Sequence, residues 1–376
     1  MIHQLYDLLK RLRYNIVMIN KISATIDAKK IHSICINCCG LLGDTLIRVP
    51  FIEALAKLCT EAKITVITDK GKEILLRNHP AVTHVLTFNR QKSPRWTYIK
   101  DLIHFIFCLR RNRYDLLINL YGGGSSVGIT KFSKAKYRLG FYRNTKEKKA
   151  YTHGMAWPNY IMDSLMYHWG QQFGLLLSPF ALQPEDLRAG TTFIPTATAV
   201  IKAKTIIQET TQAWVLINLG AGDARKIWPI ENYFTIAKWL HATYDYHIGI
   251  FINPGQEYLA TNFIKRAKAE NFTAVTPLKI PDLDIIGALM QQAKFVISGD
   301  TGLMHIAFGV KAPIVTIFSH TRPEHVAPED VMFIPCFIED RHKKNDFDIP
   351  MGKEDLSVDY VKNKIVQLQE KLNQPI

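Results

Sequence analysis

The stretch FVISGDTGLMHIAFGVKAPIVTIF, residues 295–318, contains in one segment the pattern on which the whole chain is built. An apolar run over 295–298 predicts a strand, and apolar residues at helical spacing predict a helix over 301–310. A second apolar strand is predicted over 313–318. A strand, a helix and a second strand in this order form one unit of a parallel sheet that is covered by helices.

The turn inside this segment carries residues that suit the binding of an anion. Asp300, Thr301 and Gly302 open the predicted helix, and His305 lies one turn further on. Free backbone amides and the positive end of the helix dipole bind phosphate at such a start, and a hydroxyl and a ring N–H add donors. Gly302 would let a ligand approach the backbone. The alternative, an ordinary helix cap followed by a surface histidine, stays open from this segment alone.

The same alternation of strands and helices runs through both halves of the chain. Its 376 residues fit two domains, and prolines and small residues over 179–199 predict the boundary. We assign residues 1–190 to the first doubly wound domain and 200–376 to the second, whose last helix is a candidate for packing back on the first. A ligand cleft is expected between the carboxyl edges of the two sheets. Strands are predicted over 31–38, 63–68, 83–88, 115–121, 214–219, 248–252, 295–298 and 313–318.

Charge and cysteine content narrow the partners and the compartment. The chain has 47 Lys and Arg against 33 Asp and Glu, a formal net charge of +14, which suggests a nucleic acid, an anionic membrane or a phosphorylated substrate as partner. No run of about 18 apolar residues predicts a transmembrane helix. Cys35, Cys38 and Cys39 lie in an apolar strand, so we interpret them as buried thiols of a reducing cytoplasm rather than as metal ligands.

Two further loops at predicted strand ends hold candidate chemical groups. In INLGAGDARKIWPIENY, residues 217–233, Lys226 precedes a helix and either neutralises a leaving diphosphate or is simply solvated. In CCGLLGDTLIRVPFIEALAKL, residues 38–58, Asp44 precedes a helix predicted over 45–58. Asp44 is interpreted either as a general base that faces the cleft or as a helix cap.

Two basic segments are candidates for contact with an anionic partner. Residues 131–149, KFSKAKYRLGFYRNTKEKK, interleave basic and aromatic side chains and form either an acceptor surface or a solvated face. Residues 2–19, within an extra N-terminal segment 1–30, predict an amphipathic basic helix that lies on a membrane or packs on its own domain. The candidate acceptor residues of the first segment are Arg138, Arg143, Lys146, Lys148 and Lys149.

In order and spacing these motifs resemble glycosyltransferase family 9, the ADP-heptose:lipopolysaccharide heptosyltransferases. The resemblance covers residues 31–330 and includes YDLLINL, residues 114–120, and YRLGF, residues 137–141. It implies a GT-B architecture, in which two Rossmann-like α/β domains face each other across a cleft. It also implies inverting, metal-independent transfer of a heptose from ADP-L-glycero-β-D-manno-heptose to the inner core of lipopolysaccharide, a Kdo–lipid A type of acceptor, with no cofactor.

The resemblance also assigns roles to individual residues. It makes Asp44 the general base and places Gly43 on the acceptor side. It also implies that Lys226 binds the diphosphate and that Glu257 contacts the nucleoside. The implied partners are an ADP-sugar donor, an anionic lipid-linked oligosaccharide and the inner face of the bacterial inner membrane, on which a cytoplasmic protein would lie. The residues that match the family's donor loop are Asp300, Thr301, Gly302 and His305.

Alternatives from other classes are weaker. A nucleic-acid-binding protein would account for the net charge and for residues 131–149, but not for GDTGLMHIAFG or Asp44, and we predict no nucleic-acid partner. A dinucleotide-dependent oxidoreductase would share the doubly wound halves, yet no GxGxxG opens a helix after a strand. A family 9 transferase with another nucleotide sugar, or with a protein or other glycan as acceptor, remains the nearer alternative.

Overall fold

The computed structural model of the protein describes six stretches of the chain, residues 26–89, 94–122, 124–157, 168–319, 321–339 and 356–374. Within these stretches lie two six-stranded sheets in which every pair of neighbouring strands is parallel. The helix predicted over 2–19 falls outside the described residues.

The first sheet belongs to the N-terminal half. Its strands are β1 (Ser33–Asn37), β2 (Lys63–Asp69), β3 (His84–Phe88), β4 (Leu116–Asn119), β5 (Tyr137–Tyr142) and β6 (His153–Ala156). Its helices are α1 (Leu42–Leu46), α2 (Val49–Leu58), α3 (Ile74–Arg77), α4 (Arg95–Asn112), α5 (Gly124–Phe132) and α6 (Thr145–Lys148). The strands lie in the order β3-β2-β1-β4-β5-β6.

The second sheet belongs to the C-terminal half. Its strands are β7 (Trp214–Asn218), β8 (His247–Phe251), β9 (Val275–Leu278), β10 (Phe295–Gly299), β11 (Ile314–Ile317) and β12 (Phe333–Cys336). Its helices are α7 (Ala197–Ile207), α8 (Ile230–Tyr244), α9 (Glu257–Ala269), α10 (Leu283–Gln292), α11 (Gly302–Gly309) and α12 (Val358–Asn373). The order β12-β11-β10-β7-β8-β9 repeats that of the first sheet, so both halves are doubly wound, as predicted.

The strand order fixes where a ligand site can form. In each sheet the chain reverses its winding direction between two central strands, β1 and β4 in the first and β7 and β10 in the second. Ligands of doubly wound sheets bind in the crevice outside the carboxyl ends of the strands at this point. The loops after β1, β7 and β10 are the three that the sequence singled out.

The helix predicted over 45–58 is two helices, α1 and α2. Pro50 lies in the first turn of α2, where it has no N–H to donate to the carbonyl of Leu46, so a continuous helix would lose that bond. The chain therefore ends α1 before Arg48 and starts a new helix. Asp44 lies in the resulting short helix, directly after β1.

The two halves touch where α1 packs against α11, and one apolar core continues across this contact. Arg188 reinforces the junction from the connecting segment. Its guanidinium donates to Glu53 on α2 at 2.8 Å and lies 3.4 Å from the carboxylate of Asp330 in the second half. Hydrogen bonds from His79 and Arg188 hold the pKa of Glu53 well below its usual range, although burial alone raises it.

The last helix, α12, packs on the second domain. Val361, Ile365 and Leu368 are fully buried in the core of that domain, and the helix lies against β11, β12 and α8. Among the residues that the structure describes, its apolar face is covered by the second domain, so the packing on the first domain considered from the sequence is not seen there. The interpretation of the first-strand cysteines as core thiols is confirmed, because Cys35, Cys38 and Cys39 are all buried.

Candidate active site

Lys226 and Asp300 meet at the carboxyl edge of the second sheet. The Lys226 ammonium donates to Oδ2 of Asp300 at 2.6 Å, and the Thr321 hydroxyl donates to the same oxygen at 2.6 Å. The Asp300 side chain is only 9% exposed, whereas that of Lys226 is 26% exposed. The buried carboxylate thus fixes the ammonium at the switch point of the sheet. The sequence predicts that Asp300 contacts the sugar donor; in the structure its carboxylate accepts a hydrogen bond from the ammonium of Lys226.

Thr301 precedes α11, but its hydroxyl does not cap that helix. Its Oγ1 instead accepts a hydrogen bond from Nδ2 of Asn218, at the end of β7, at 3.0 Å. The same amide is held by Asn253, whose Nδ2 donates to Oδ1 of Asn218 at 2.7 Å. This chain of bonds ties the loops after β7, β8 and β10 together and leaves the first-turn amides of α11 uncapped by Thr301. Uncapped amides at a helix start are suited to an anion.

Gly302 has a packing role that the sequence did not predict. A Cβ at this position would lie 3.0 Å from both Cβ and Cδ2 of Leu42 on α1. The space that the missing side chain leaves is therefore filled by a side chain of the first domain rather than open to a ligand. Gly302 allows the two domains to approach each other beside the site.

Gly43 and His305 form the second close contact between the domains. A Cβ on Gly43 would lie 2.7 Å from Cδ2 and 3.1 Å from Nε2 of His305, so only glycine leaves room for the imidazole. Burial lowers the pKa of His305, the carboxylates of Asp300 and Asp44 oppose that shift, and the ammonium of Lys226 adds to it. The charged groups of both domains thus act on one buried ring.

Asp44 lies at the carboxyl edge of the first sheet and is exposed. Its Oδ2 accepts the backbone N–H of Leu41 at 3.0 Å, so the carboxylate does cap its own short helix. This bond uses one oxygen and leaves the solvent-facing carboxylate able to accept a proton from a bound hydroxyl. The two interpretations of Asp44 are therefore compatible: the cap orients the group, and its exposure makes it available.

Arg48 is a charged residue that the sequence gave no reason to select. It is buried, and its Nη1 donates to the carbonyls of Cys38 at 3.1 Å and Cys39 at 2.6 Å. A Cβ on Gly40 would lie 3.1 Å from this Nη1 and 3.2 Å from Oδ2 of Asp44, so the guanidinium and the carboxylate both lie beside the same glycine. Burial lowers the pKa of Arg48, and Asp44 is among the groups that oppose the shift.

The predicted acceptor residues separate into two groups. Arg138 lies near the start of β5, and its guanidinium donates to the carbonyls of Ala150 at 2.9 Å and Ala135 at 2.7 Å. These bonds make Arg138 a structural residue between β5 and β6. The remaining four are exposed in the connection from β5 to β6: Arg143, Lys146, Lys148 and Lys149. Arg143 directly follows the carboxyl end of β5, on the edge where Asp44 also lies, and the ammonium of Lys148 lies 5.6 Å from the ring centroid of Tyr142, the last residue of β5.

Glu257 opens α9 at the carboxyl edge of the second sheet and is exposed. Its Oε1 accepts the N–H of Gly255 at 3.1 Å. Bonds from its own backbone N–H and from that of Gly255 lower the pKa of the carboxyl group. The neighbouring Gln256 donates to the carbonyl of Ala221 at 2.6 Å and so joins this loop to the one that carries Lys226.

The described residues contain neither a metal-binding cluster nor a membrane-spanning helix. In those stretches no group of three or more His, Cys, Asp or Glu side chains is arranged to hold a metal ion. None of the helices seen there is both long enough and apolar enough to cross a membrane.

The family model "Glycosyltransferase family 9 (heptosyltransferase)" matches residues 103–351, which is more than half of the chain. The chain belongs to glycosyltransferase family 9. It is a glycosyltransferase, as the motifs predicted. A curated relative, lipopolysaccharide heptosyltransferase 3 of Escherichia coli, is 22% identical over 288 residues, which are 74% of this chain and 81% of the relative.

Solved structures of the family confirm the GT-B fold. A glycosyltransferase family 9 protein from Veillonella parvula superposes with a TM-score of 0.76 at 16% identity, over 93% of this chain and 99% of that one. The ADP-heptose lipopolysaccharide heptosyltransferase II of E. coli gives a TM-score of 0.72 at 17% identity, over 90% and 99%. The family 9 architecture of two Rossmann-like domains is therefore that of this chain.

Proposed function

We propose that this transferase moves a heptose from ADP-L-glycero-β-D-manno-heptose to the Kdo–lipid A inner core of lipopolysaccharide, with inversion at the anomeric carbon and without a metal ion. One observation carries the proposal. Gly43, next to Asp44 in the first domain, packs against the ring of His305 on α11, and the start of α11 follows Asp300, the partner of Lys226. A mass-spectrometric assay of heptose transfer to a Kdo–lipid A acceptor tests it.

The first step of the chemistry needs a base on the acceptor side. In an inverting transfer the acceptor oxygen attacks the anomeric carbon as its proton leaves and the sugar–diphosphate bond breaks. Asp44 is exposed at the edge of the first sheet and is held by the N–H of Leu41. We assign to it the removal of that proton, since a positioned carboxylate at hydrogen-bond distance from the hydroxyl serves as a general base.

The second requirement is positive charge where the diphosphate departs. The ammonium of Lys226 is partly exposed and fixed by Asp300, and the first-turn amides of α11 point out of the same edge. Preorganised donors of this kind stabilise the charge that develops on a leaving group without reorganising during the reaction. We therefore assign the diphosphate to Lys226 and the start of α11, so that no metal ion is needed to neutralise it.

The identity of the donor follows from the relatives. The E. coli enzyme that superposes on 90% of this chain is described as an ADP-heptose enzyme, and we propose the same donor here. Glu257 lies on the carboxyl edge with Lys226, on a loop that Gln256 ties to the lysine's own loop. This placement suits contact between the Glu257 carboxylate and the hydroxyl groups of the nucleoside.

The acceptor implied by the family is a lipid-anchored anion. The first domain carries positive charge in a segment that starts at the edge of the sheet where Asp44 lies. Arg143, Lys146, Lys148 and Lys149 are exposed in the connection that leaves the carboxyl end of β5, which is two strands from β1. We propose that they attract acceptor phosphates and carboxylates. The protein would then work in the cytoplasm at the inner face of the inner membrane, where such an acceptor is anchored.

Reversing the charge of Lys146, Lys148 and Lys149 to glutamate together is expected to raise the acceptor KM about tenfold at low salt and to leave the donor KM unchanged, because the lost attraction concerns the acceptor alone. Steady-state kinetics with each substrate varied in turn measures both constants. If both KM values stay at those of the parent, the segment is a solvated face. A matched triple reversal uses exposed lysines of the second domain: Lys202, Lys204 and Lys268.

A further inference from the structure

Helix α4 has an unusual outer face. Its inner face is formed by side chains that pack on the first sheet, among them Leu102, Phe105 and Leu109. On the opposite side three large apolar side chains point into solvent: Trp96 is 82% exposed, Ile103 is 63% exposed and Phe107 is 65% exposed. Isolated exposed apolar residues are common, but three on one face of one helix form a patch that calls for a partner.

The charges on α4 lie in the same stripe as the apolar groups. At 3.6 residues per turn, Lys100, Arg110 and Arg111 flank the narrow arc that holds the three exposed apolar side chains. All three basic residues are exposed, and the one acid of α4, Asp101, lies outside this arc. We call this stripe the α4 face; it consists of Trp96, Lys100, Ile103, Phe107, Arg110 and Arg111.

The α4 face begins toward the carboxyl edge of the first sheet, the edge that also carries Asp44. Helix α4 follows β3, so its first turn, with Trp96, lies toward the carboxyl edge of the first sheet. On that edge Asp69, at the end of β2, accepts the N–H of Gly40 at 3.0 Å in the loop that leads to Asp44.

The helix that runs beside α4 is α5. It ends in an exposed aromatic residue, Phe132, next to an exposed Lys131.

We propose that the α4 face docks the protein on an anionic lipid bilayer, with the apolar side chains in the interfacial region and the basic ones against the headgroups. The proposal rests on the proposed function, in which the acceptor is anchored in such a bilayer. Charge complementarity selects this occupant, because a stripe with three cations and no acid matches a uniformly anionic surface. Aromatic and aliphatic side chains flanked by basic ones are what interfacial surfaces present to headgroups.

The test measures binding of the full chain to vesicles by co-sedimentation. We expect the parent to bind vesicles of phosphatidylcholine mixed with phosphatidylglycerol and to bind vesicles of phosphatidylcholine alone at least about tenfold more weakly. The double change Ile103→Glu and Phe107→Glu is expected to weaken binding to the mixed vesicles by about tenfold or more. The double change Arg110→Glu and Arg111→Glu, which keeps the apolar groups, should abolish the preference for the mixed vesicles.

A matched control is available in the second domain. Ile201 on α7 is 67% exposed, so Ile201→Glu adds a charge at a site as exposed as Ile103 and should bind like the parent. Parent-like binding of the Ile103/Phe107 variant, with an unchanged melting temperature, overturns the proposal. It is also overturned if light scattering shows that the parent is a dimer that this variant dissociates, since the face would then bind a second copy. The parent and both variants should turn over a lipid-free acceptor at equal rates. If none of the three turns it over, the result counts against the proposed function and not against the α4 face.

Discussion

Replacing Asp44 by asparagine is expected to lower kcat by ~10²–10⁴-fold while the rise in melting temperature that ADP causes stays as in the parent. The amide can still accept the N–H of Leu41, so the short helix keeps its cap, but it cannot take the acceptor proton. Because the donor would be bound by the other domain, its affinity should not change. Steady-state kinetics and thermal melting with and without ADP measure the two effects.

A second capping aspartate separates catalysis from capping. Asp282 precedes α10, is exposed, and accepts the backbone N–H of Asp284 at 2.9 Å, as Asp44 accepts that of Leu41. Asp282→Asn should leave kcat near the parent value. If Asp44→Asn behaves in the same way, Asp44 is a helix cap alone and the general base lies elsewhere.

Replacing Lys226 by alanine is expected to lower kcat by ~10²–10³-fold and to remove most of the ADP-induced rise in melting temperature. The change deletes the ammonium at the leaving group. The carboxylate of Asp300 keeps its hydrogen bond from the hydroxyl of Thr321 but loses its bond to the cation. The uncompensated carboxylate would then repel a diphosphate. Both losses come from one position, and kinetics together with thermal melting report them separately.

The neighbouring residue provides the control for this change. Arg225 precedes Lys226 in the chain, is 57% exposed and pairs with Asp223 at 2.8 Å, so Arg225→Ala removes the same formal charge from the same loop. It should keep turnover and most of the ADP effect. An ADP effect in Lys226→Ala equal to that of the parent would exclude this lysine from the diphosphate site.

Most strands inside the sheets were predictable from the sequence, and most edge strands were not. All eight predicted strands are present within a few residues. Seven of them lie inside a sheet, where a strand covered on both faces is a continuous apolar run, and the eighth, β3, is an edge strand. The strands that the sequence did not indicate are β5, β6, β9 and β12. Of these, β6, β9 and β12 are edge strands of four residues, and β9 and β12 each contain a proline, which an edge strand tolerates.

The candidate site was predictable as a set of loops but not as a set of contacts. Asp44, Lys226 and Thr301 follow strand ends, which periodicity locates. The contacts of Gly43 with His305 and of Gly302 with Leu42 join residues more than 200 positions apart, and spacing along a chain cannot show which residues meet across a domain boundary. The roles predicted for the two glycines were therefore incomplete.

The partners of charged and polar side chains around the site could not be predicted from the sequence either. Neither Arg48 nor Thr321 was selected as a site residue from the sequence, yet one lies beside Asp44 and the other donates to Asp300. Arg138 belongs to a basic run in which only the fold shows that its guanidinium bonds to carbonyls. Whether a cation is solvated or engaged depends on the neighbouring backbone, which local sequence does not specify.

The central claim, that one site formed by both domains carries out inverting transfer of heptose, is tested most directly by the product itself. The parent enzyme is given ADP-L-glycero-β-D-manno-heptose and a heptose-deficient Kdo–lipid A acceptor, with and without EDTA, and the product is analysed by mass spectrometry and by NMR of its new anomeric centre. We predict addition of one heptose, in the α configuration, at a rate that EDTA does not change. No addition, transfer only from another nucleotide sugar, a β-linked product or loss of the reaction in EDTA would contradict the account.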